Sequence, residues 1–260
     1  MISSTSNAQM KHLVQMQKKA KLRKEEKAFV IEGTKMFEEA LQGNLIKKAY
    51  FSESYWKEKA EGSSYLKNIQ YEIVTDSVFK EVSDTMTPQG VIAIVQMPQY
   101  NLEKLIEKEE VNLVLLENLR DPGNLGTIVR TAEGAGMDAI ILSKESVDIY
   151  NPKVIRSTMG AIYRMPIIYV DCFSDCLINL QKSGIVIYAA HLKGKNDYDK
   201  ESYAKKMGLL IGNEANGLTE EVANLSNCLV KIPMEGKVES LNAAVATALL
   251  MYEVYRQRRK

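Results

Sequence analysis

The chain has 260 residues and a formal net charge of +1, with 45% hydrophobic and 26% charged residues, the composition of a globular protein of one large or two smaller domains. It contains no apolar run of the roughly 20 residues that span a bilayer and no apolar signal core near Met1, so we expect no membrane span, no export and a cytoplasmic location. Its three cysteines and two histidines do not have zinc-ligand spacing, so we expect no metal site.

Positive charge is concentrated at the start of the chain, where residues 1–50 contain ten Lys or Arg and five Glu. This asymmetry is typical of a surface that meets a polyanion, although a solvated helix face explains it about equally well on charge alone. A helix is predicted over residues 7–27. It supplies the candidate nucleic-acid contacts Lys18, Lys19, Lys21 and Arg23.

The first hundred residues alternate between short strands and helices, which predicts a small α/β domain over residues 1–98. Thr34 is the expected N-cap of the second helix. A linker is predicted at 99–110. Strands are expected at 29–33, 46–52, 71–75 and 91–95, and helices at 34–41 and 76–82.

From residue 111 the chain contains recurring, almost unbroken apolar runs with helical stretches between most of them. Strands that are buried on both faces have this pattern, so residues 111–260 predict a parallel sheet covered by helices. A last helix is expected at 241–256. The predicted strands are 111–116, 139–142, 167–170, 185–189, 209–212 and 229–232.

Three loops that follow strands of this sheet combine glycine with polar and charged residues. The first, 117–132, contains Asn124 as a candidate helix cap and Arg130 inside the following helix. The second is 209–219, and the third, 232–246, contains Ser240 and Asn242 as candidate N-caps. Because ligands of open α/β sheets bind beyond the carboxyl ends of the strands, all three are candidate ligand loops.

Two common nucleotide-binding patterns are absent from these loops. Gly123 and Gly126 do not have the GxGxxG spacing, nor do Gly134 and Gly136, and no GxxxxGK[ST] run occurs. A dinucleotide-dependent or ordinary Rossmann enzyme is therefore disfavoured.

In order and in residue identity, the three loops resemble the signature motifs of the SpoU (TrmH-like) branch of the SPOUT superfamily. Its members are S-adenosylmethionine-dependent RNA 2′-O-ribose methyltransferases. The resemblance covers about residues 111–256, and about residues 1–100 resemble, more weakly, the small L30e-like substrate-binding domain that often precedes it. The matching motif positions are Asn124, Arg130 and Thr131; Gly212, Glu214, Gly217 and Leu218; and Ile232, Pro233, Met234, Gly236, Ser240, Leu241, Asn242 and Ala246.

The resemblance implies roles for individual residues. Arg130 would act on the ribose 2′-hydroxyl, either as a base assisted by an RNA phosphate or by orienting the hydroxyl and stabilising charge. Arg156, in the segment 151–160, is a further candidate RNA contact. Asn124, Glu214, Ser240 and Asn242 complete the expected catalytic set, and the expected cofactor contacts are Gly212, Asn213, Gly217, Ile232, Met234 and Leu241.

The resemblance also implies a deep C-terminal trefoil knot, S-adenosylmethionine bound in its loops without a metal, and a homodimer packed through the knotted domain. The expected substrate is 23S ribosomal RNA. A tRNA methyltransferase and a non-catalytic RNA-binding protein on the same fold remain open alternatives. The joint presence of Arg130, Glu214, Ser240 and Asn242 favours an enzyme.

Overall fold

Two groups of residues pack separately in the computed structural model of the chain, which describes residues 1–259. Unit 1 comprises Met1–Gln99 and Asp148–Tyr163, and unit 2 comprises Tyr100–Val147 and the chain from Arg164 onwards. The segment Asp148–Tyr163 thus groups with the N-terminal residues, although the sequence predicted it within the domain 111–260.

Unit 1 is built on a four-stranded sheet flanked by short helices. Its strands are β1 (Ala28–Glu32), β2 (Ile46–Ser52), β3 (Tyr71–Val74) and β4 (Val91–Gln96). Its helices are α1 (Ala8–Lys18), α2 (Ala20–Glu26), α3 (Thr34–Gln42), α4 (Glu53–Tyr55), α5 (Asp76–Val82) and α8 (Pro152–Thr158), numbered in chain order. The strand order is β1–β4–β2–β3, with β2 and β3 parallel and the other pairs antiparallel. All four strands and α5 confirm the predicted elements to within two residues.

The predicted helix 7–27 is interrupted at Lys19, whose backbone is extended (φ −110°, ψ 105°). Arg23 accounts for the interruption, because its Nη1 donates to Met16 O (2.6 Å) and Gln17 O (2.8 Å), two carbonyls in the last turn of α1. Its Nη2 donates to Asp148 Oδ2 at 2.6 Å. Arg23 is only 3% exposed, so its prediction as an RNA contact is wrong.

Thr34 is also not the helix cap that the sequence predicted. The N-cap of α3 is Gly33, at a φ of 103° that favours glycine, and Thr34 is the first helical residue. The Thr34 N–H donates to Gln89 Oε1 at 2.9 Å, so a side chain that is distant in the sequence satisfies this N–H of the first turn.

Unit 2 is built on a seven-stranded sheet in which every pair is parallel. Its strands are β5 (Val111–Leu116), β6 (Ala139–Ser143), β7 (Ile167–Val170), β8 (Val186–Ala190), β9 (Asn196–Asp197), β10 (Lys206–Ile211) and β11 (Cys228–Lys231). Its helices are α6 (Leu102–Ile106), α7 (Pro122–Gly134), α9 (Phe173–Lys182), α10 (Glu220–Asn224) and α11 (Ala243–Arg258). The two-residue strand β9 was not predicted because it is too short to carry an apolar pattern.

The sheet order β7–β6–β5–β10–β8–β11–β9 puts the ends of β5 and β10 side by side. Leu116 pairs with Ile211 in the register of these strands, and both are the last residues of their strands. Helix α11 packs on β10 and on α7. The loops after β5 and β10 therefore leave the sheet at the same point, beside the helix that follows the third loop.

The strands nearest this point are buried on both faces, as the apolar runs predicted. In β5 all residues but Asn112 are buried, as are all five residues of β6. In residues 1–259 no helix has the length and apolarity needed to cross a membrane.

Candidate active site

Helix α7 begins with an Asp-Pro pair that determines which side chain caps it. Asp121 is the N-cap, since its Oδ1 accepts the N–H of Asn124 at 2.7 Å, and Pro122 at the first helical position has no N–H to satisfy. The prediction that Asn124 caps this helix is therefore wrong. As a consequence, the Asn124 side chain is available for other partners.

Asn124 bridges the second and third loops. Its Nδ2 donates to Glu214 Oε1 at 2.9 Å, and its Oδ1 accepts from Asn242 Nδ2 at 2.9 Å. The three motif residues, predicted from separate parts of the sequence, thus meet in one hydrogen-bonded chain.

Asn242 has a defined orientation because both ends of its amide are engaged. As the N-cap of α11, its Oδ1 accepts from Ala244 N (2.9 Å) and Val245 N (3.3 Å), which confirms the predicted cap. The oxygen must face the helix, so Nδ2 faces Asn124, and Asn124 in turn presents its own Nδ2 to Glu214. Ser240 lies two residues earlier, is exposed, and does not cap α11.

Glu214 also receives two backbone donors from the first loop. Asp121 N lies 3.3 Å from Glu214 Oε1, and Arg120 N lies 3.5 Å from Oε2. The carboxylate therefore ties the second loop to the entrance of α7.

The second loop closes tightly on itself. Asn213 and Gly217 exchange both backbone hydrogen bonds, at 3.0 and 2.8 Å, and Gly217 has a φ of 69°. A Cβ on Gly212 would lie 2.2 Å from Gly217 C and from Leu218 N, so only glycine fits there. Asn213 Nδ2 donates to Asn118 O at 2.7 Å, which shapes the loops; the cofactor contact expected of Asn213 stays a prediction.

A buried carboxylate that was not predicted from the sequence lies at the base of the first loop. Glu117 is 4% exposed, and its two oxygens accept from Thr219 N (2.9 Å) and Thr219 Oγ1 (2.6 Å). The signal available in the sequence was a glutamate directly after an apolar strand, a position where burial requires a partner.

Arg130 lies on the exposed side of α7, six residues after Asn124. Within residues 1–259 its guanidinium makes no hydrogen bond or ion pair, so its five N–H donors are available to a ligand. The structure does not bring Arg130 or Ser240 into hydrogen-bonding contact with the Asn124 chain.

Just before the third loop, the end of β11 lies close to the backbone of the turn that follows β8. His191 N donates to Val230 O at 2.9 Å, and a Cβ on Gly194 would lie 2.6 Å from Val230 C. The turn after β8 thus packs against the end of β11, just before Ile232. Among the predicted cofactor contacts of this loop, Ile232, Met234 and Leu241 are partly buried.

The donor set around these loops suits an organic cofactor held by main-chain groups. At Gly212 the backbone of Gly217 and Leu218 occupies the space of a side chain, and the third loop contributes apolar side chains that are partly buried. In the described part of the chain, no group of three or more His, Cys, Asp or Glu could hold a metal ion.

An apolar groove of about 500 Å³ runs along α11 in unit 2. Val245 (49% exposed), Leu249 (37%) and Tyr252 (49%) occur at helical spacing along one side of it. Thr127, one turn before Arg130 on α7, also lines the groove.

Comparison with known proteins identifies relatives over both parts of the chain. The SpoU rRNA Methylase family matches residues 112–252, and the MRM3-like substrate binding domain matches residues 7–93. The 23S rRNA (guanosine(2553)-2′-O)-methyltransferase RlmP of Bacillus subtilis (strain 168) is 32% identical over 260 residues, covering 97% of this chain and 98% of the relative.

Solved structures match with the same coverage. The AdoMet-bound rRNA methyltransferase of Sinorhizobium meliloti has a TM-score of 0.88 at 30% identity, over 100% of this chain and 98% of the other. The SpoU methyltransferase AviRb of Streptomyces viridochromogenes, in complex with the cofactor AdoMet, has a TM-score of 0.86 at 25% identity, over 97% and 98%. The predicted SPOUT fold is therefore confirmed.

Proposed function

The chain belongs to the SpoU rRNA methylase family, and on that premise we propose that it transfers a methyl group from S-adenosylmethionine to a ribose 2′-hydroxyl of 23S ribosomal RNA. The observation that carries the proposal is the bridge Glu214–Asn124–Asn242, with 2.9 Å at each step, which joins all three motif loops at the end of β5. Action on cytoplasmic RNA gives the protein a cytoplasmic location.

The cofactor pocket in this proposal is formed by the second and third loops. Gly212 and Gly217 present main-chain groups, and Ile232, Met234 and Leu241 supply apolar contacts to the adenine. Asn213 acts by shaping the second loop through its bond to Asn118 O. When bound, S-adenosylmethionine supplies a methyl group on a positively charged sulfur, so no metal is required.

Arg130 is the residue that we propose acts on the ribose. Its guanidinium is a permanent cation with donors only, so it holds the 2′-oxygen and a neighbouring phosphate and stabilises negative charge on that oxygen. The methyl group would leave the sulfonium, which becomes a neutral thioether, as it bonds to the 2′-oxygen, and the hydroxyl proton would pass to a phosphate oxygen or water. Ser240 and Asn242 flank the reacting hydroxyl. Glu214 holds the start of α7 in position through its hydrogen bond with Asn124.

Tritiated methyl transfer tests the function directly. Purified protein with labelled S-adenosylmethionine is expected to label unmethylated 23S RNA, and alkaline hydrolysis should leave the label in a dinucleotide, since 2′-O-methylation blocks cleavage there. Label in tRNA would favour the tRNA alternative. Absence of label in every RNA, although the cofactor binds, would favour a non-catalytic RNA-binding protein.

We further propose that the C-terminal loops thread as a trefoil knot. The close approach of Gly194 to the backbone of Val230 and Lys231 supports this proposal, because segments that pass each other in a knot leave little room for side chains where they cross.

The exposed groove on α11 supports a homodimer. A stripe formed by Val245, Leu249 and Tyr252 is too apolar to favour exposure to water, and a second copy of the same helix would cover it. Such a dimer would bring the partner subunit close to Thr127 and hence to Arg130.

Leu249→Glu is expected to convert the dimer to a monomer, because it places a charge in an apolar interface. Sedimentation equilibrium should give about twice the chain mass of 29.3 kDa for the wild type and the chain mass for the variant. The matched control is Leu192→Glu, at a 68% exposed leucine outside the groove, which should remain dimeric. A monomeric wild type would contradict the dimer.

RNA binding by unit 1 is supported by the match of residues 7–93 to a substrate-binding domain and by three exposed lysines around the α1–α2 junction, Lys18, Lys19 and Lys21. Arg156, the other candidate, pairs with Asp84 at 2.5 Å. Both side chains are partly exposed, so an RNA phosphate could compete for Arg156.

Reversing charge at Lys18, Lys19 and Lys21 to Glu is expected to lower RNA affinity at least about tenfold and to reduce the salt slope by about two to three, since each phosphate contact contributes about 0.7–0.9. Filter binding between low and high salt measures both quantities. The control of equal charge change is Lys59, Lys67 and Lys80 to Glu, all exposed in unit 1. Equal losses in both variants would mean that net charge alone, and not this surface, attracts RNA.

A further inference from the structure

The buried carboxylate of Glu117 is hydrogen-bonded to the exposed Thr219, and the location of this link suggests a purpose beyond stability. The segment 212–218 carries Gly212 and Glu214, and Thr219 is the residue directly after it. The start of the segment is fixed by Ile211, which pairs with Leu116 in the sheet and accepts the N–H of Glu117 at 2.9 Å. Its end is fixed by Thr219, held by both oxygens of Glu117.

The next residue of the first loop holds the start of the second loop. Asn118, next to Glu117, accepts from Asn213 Nδ2 at 2.7 Å and has a φ of 53°. Its own N–H is bonded by Ser143 Oγ at 2.9 Å, so the backbone that receives Asn213 is itself restrained. Two consecutive residues after β5 therefore hold the second loop at both its start and its end.

We propose that Glu117 and Thr219 are positioning residues that set the second loop so that Glu214 reaches Asn124 and the backbone around Gly212 keeps its cofactor-binding shape. Glu117 is only 4% exposed and faces Thr219, so it acts through the loop without touching RNA or cofactor. Thr219 is suited to the task because it also caps α10, its Oγ1 accepting from Val222 N at 3.4 Å. The inference rests on the proposed function.

Thr219→Val tests the link, since valine keeps the shape and the backbone N–H but removes the hydroxyl, so that one oxygen of the Glu117 carboxylate loses its hydrogen bond. Calorimetry is expected to show S-adenosylmethionine binding about tenfold more weakly than to the wild type, and Thr219→Ser should restore affinity to within about threefold. The KM for RNA should be unchanged while kcat falls.

The matched control is Ser174→Ala. Ser174 Oγ donates to Glu221 Oε1 at 2.6 Å, so this variant also removes a hydroxyl bonded to a carboxylate at the start of α10, without touching the segment 212–218. Its cofactor affinity should be that of the wild type. If Thr219→Val does not fold, Glu117→Gln replaces it, since glutamine keeps one accepting oxygen and nearly the same volume.

A double-mutant cycle separates positioning from general stability. If Thr219 acts through Glu214, the losses of methyl transfer in Thr219→Val and Glu214→Gln will be strongly non-additive, whereas a merely stabilising role gives additive losses. Amide exchange at residues 213–218 should accelerate at least about tenfold in Thr219→Val and remain unchanged in Ser174→Ala.

The outcomes for this link and for the proposed function are distinct. Wild-type protein that binds no S-adenosylmethionine overturns the proposed function. Wild-type protein that binds it, with unchanged affinity in Thr219→Val, additive losses, or equal losses in Ser174→Ala, overturns the positioning role alone.

Discussion

Arg130→Ala is expected to lower methyl transfer about 10³-fold or more while S-adenosylmethionine binds with nearly wild-type affinity. The guanidinium makes no hydrogen bond or ion pair within residues 1–259, so its removal leaves no buried group unpaired and should not unfold α7. The loss instead reflects the missing donors at an oxygen that develops negative charge, since a single such donor contributes about 10²–10³ in rate. Single-turnover transfer of tritiated methyl to RNA, with calorimetry for the cofactor, measures the two effects separately.

Two variants control this experiment. Arg130→Lys keeps the positive charge but loses the planar set of N–H donors. If Arg130 orients the 2′-hydroxyl in addition to supplying charge, this variant should transfer methyl groups at least about tenfold more slowly than the wild type. Arg164→Ala removes an arginine whose Nε donates to Glu133 Oε1 at 2.7 Å, and Glu133 lies on α7, as Arg130 does. The Arg164→Ala protein should transfer methyl groups at the wild-type rate. Near-normal activity of Arg130→Ala would remove Arg130 from the reaction.

Gly212→Ala is expected to abolish detectable cofactor binding, with affinity at least about 100-fold lower, and to destabilise unit 2 by about 1–3 kcal/mol. The added Cβ would lie 2.2 Å from two backbone atoms, Gly217 C and Leu218 N, so no side-chain rotation relieves the clash. The second loop must open, and Glu214 then moves away from Asn124. Calorimetry with S-adenosylmethionine and urea unfolding measure the two losses.

Gly134→Ala is the matched control for this variant. Gly134 ends α7 in the same unit, and its Cβ would meet only Tyr252 Oη at an ordinary 3.6 Å. Alanine there should be neutral or slightly stabilising. If Gly212→Ala bound the cofactor as tightly as Gly134→Ala, the second loop could not form the pocket.

The sequence was sufficient to predict the sheet of unit 2, because its strands are buried on both faces and therefore read as continuous apolar runs. It also predicted that Asn124, Glu214 and Asn242 lie in loops at one edge, since carboxyl ends of parallel strands share that edge. The bridge between these residues was beyond prediction, because the free side chain of Asn124 depends on Asp121 taking the cap.

Three of the failures share a physical cause, namely partners that are distant in the chain. Arg23 has the sequence context of an exposed helical arginine, but its guanidinium pairs with Asp148, 125 residues away, as well as with two carbonyls of α1. Thr34 lost its cap role because Gln89 supplies the bond from another loop. Glu117 was overlooked because its partner Thr219 is 102 residues away.

Mapping of ribose methylation in 23S ribosomal RNA tests whether the protein methylates this RNA through Arg130. Cells that lack the protein would be compared with the same cells supplied with wild-type protein or with Arg130→Ala. We expect that one 2′-O-methyl group is absent without the protein, returns with the wild type, and does not return with Arg130→Ala. An identical 23S methylation pattern in all three, or a methyl group restored equally by Arg130→Ala, would contradict it.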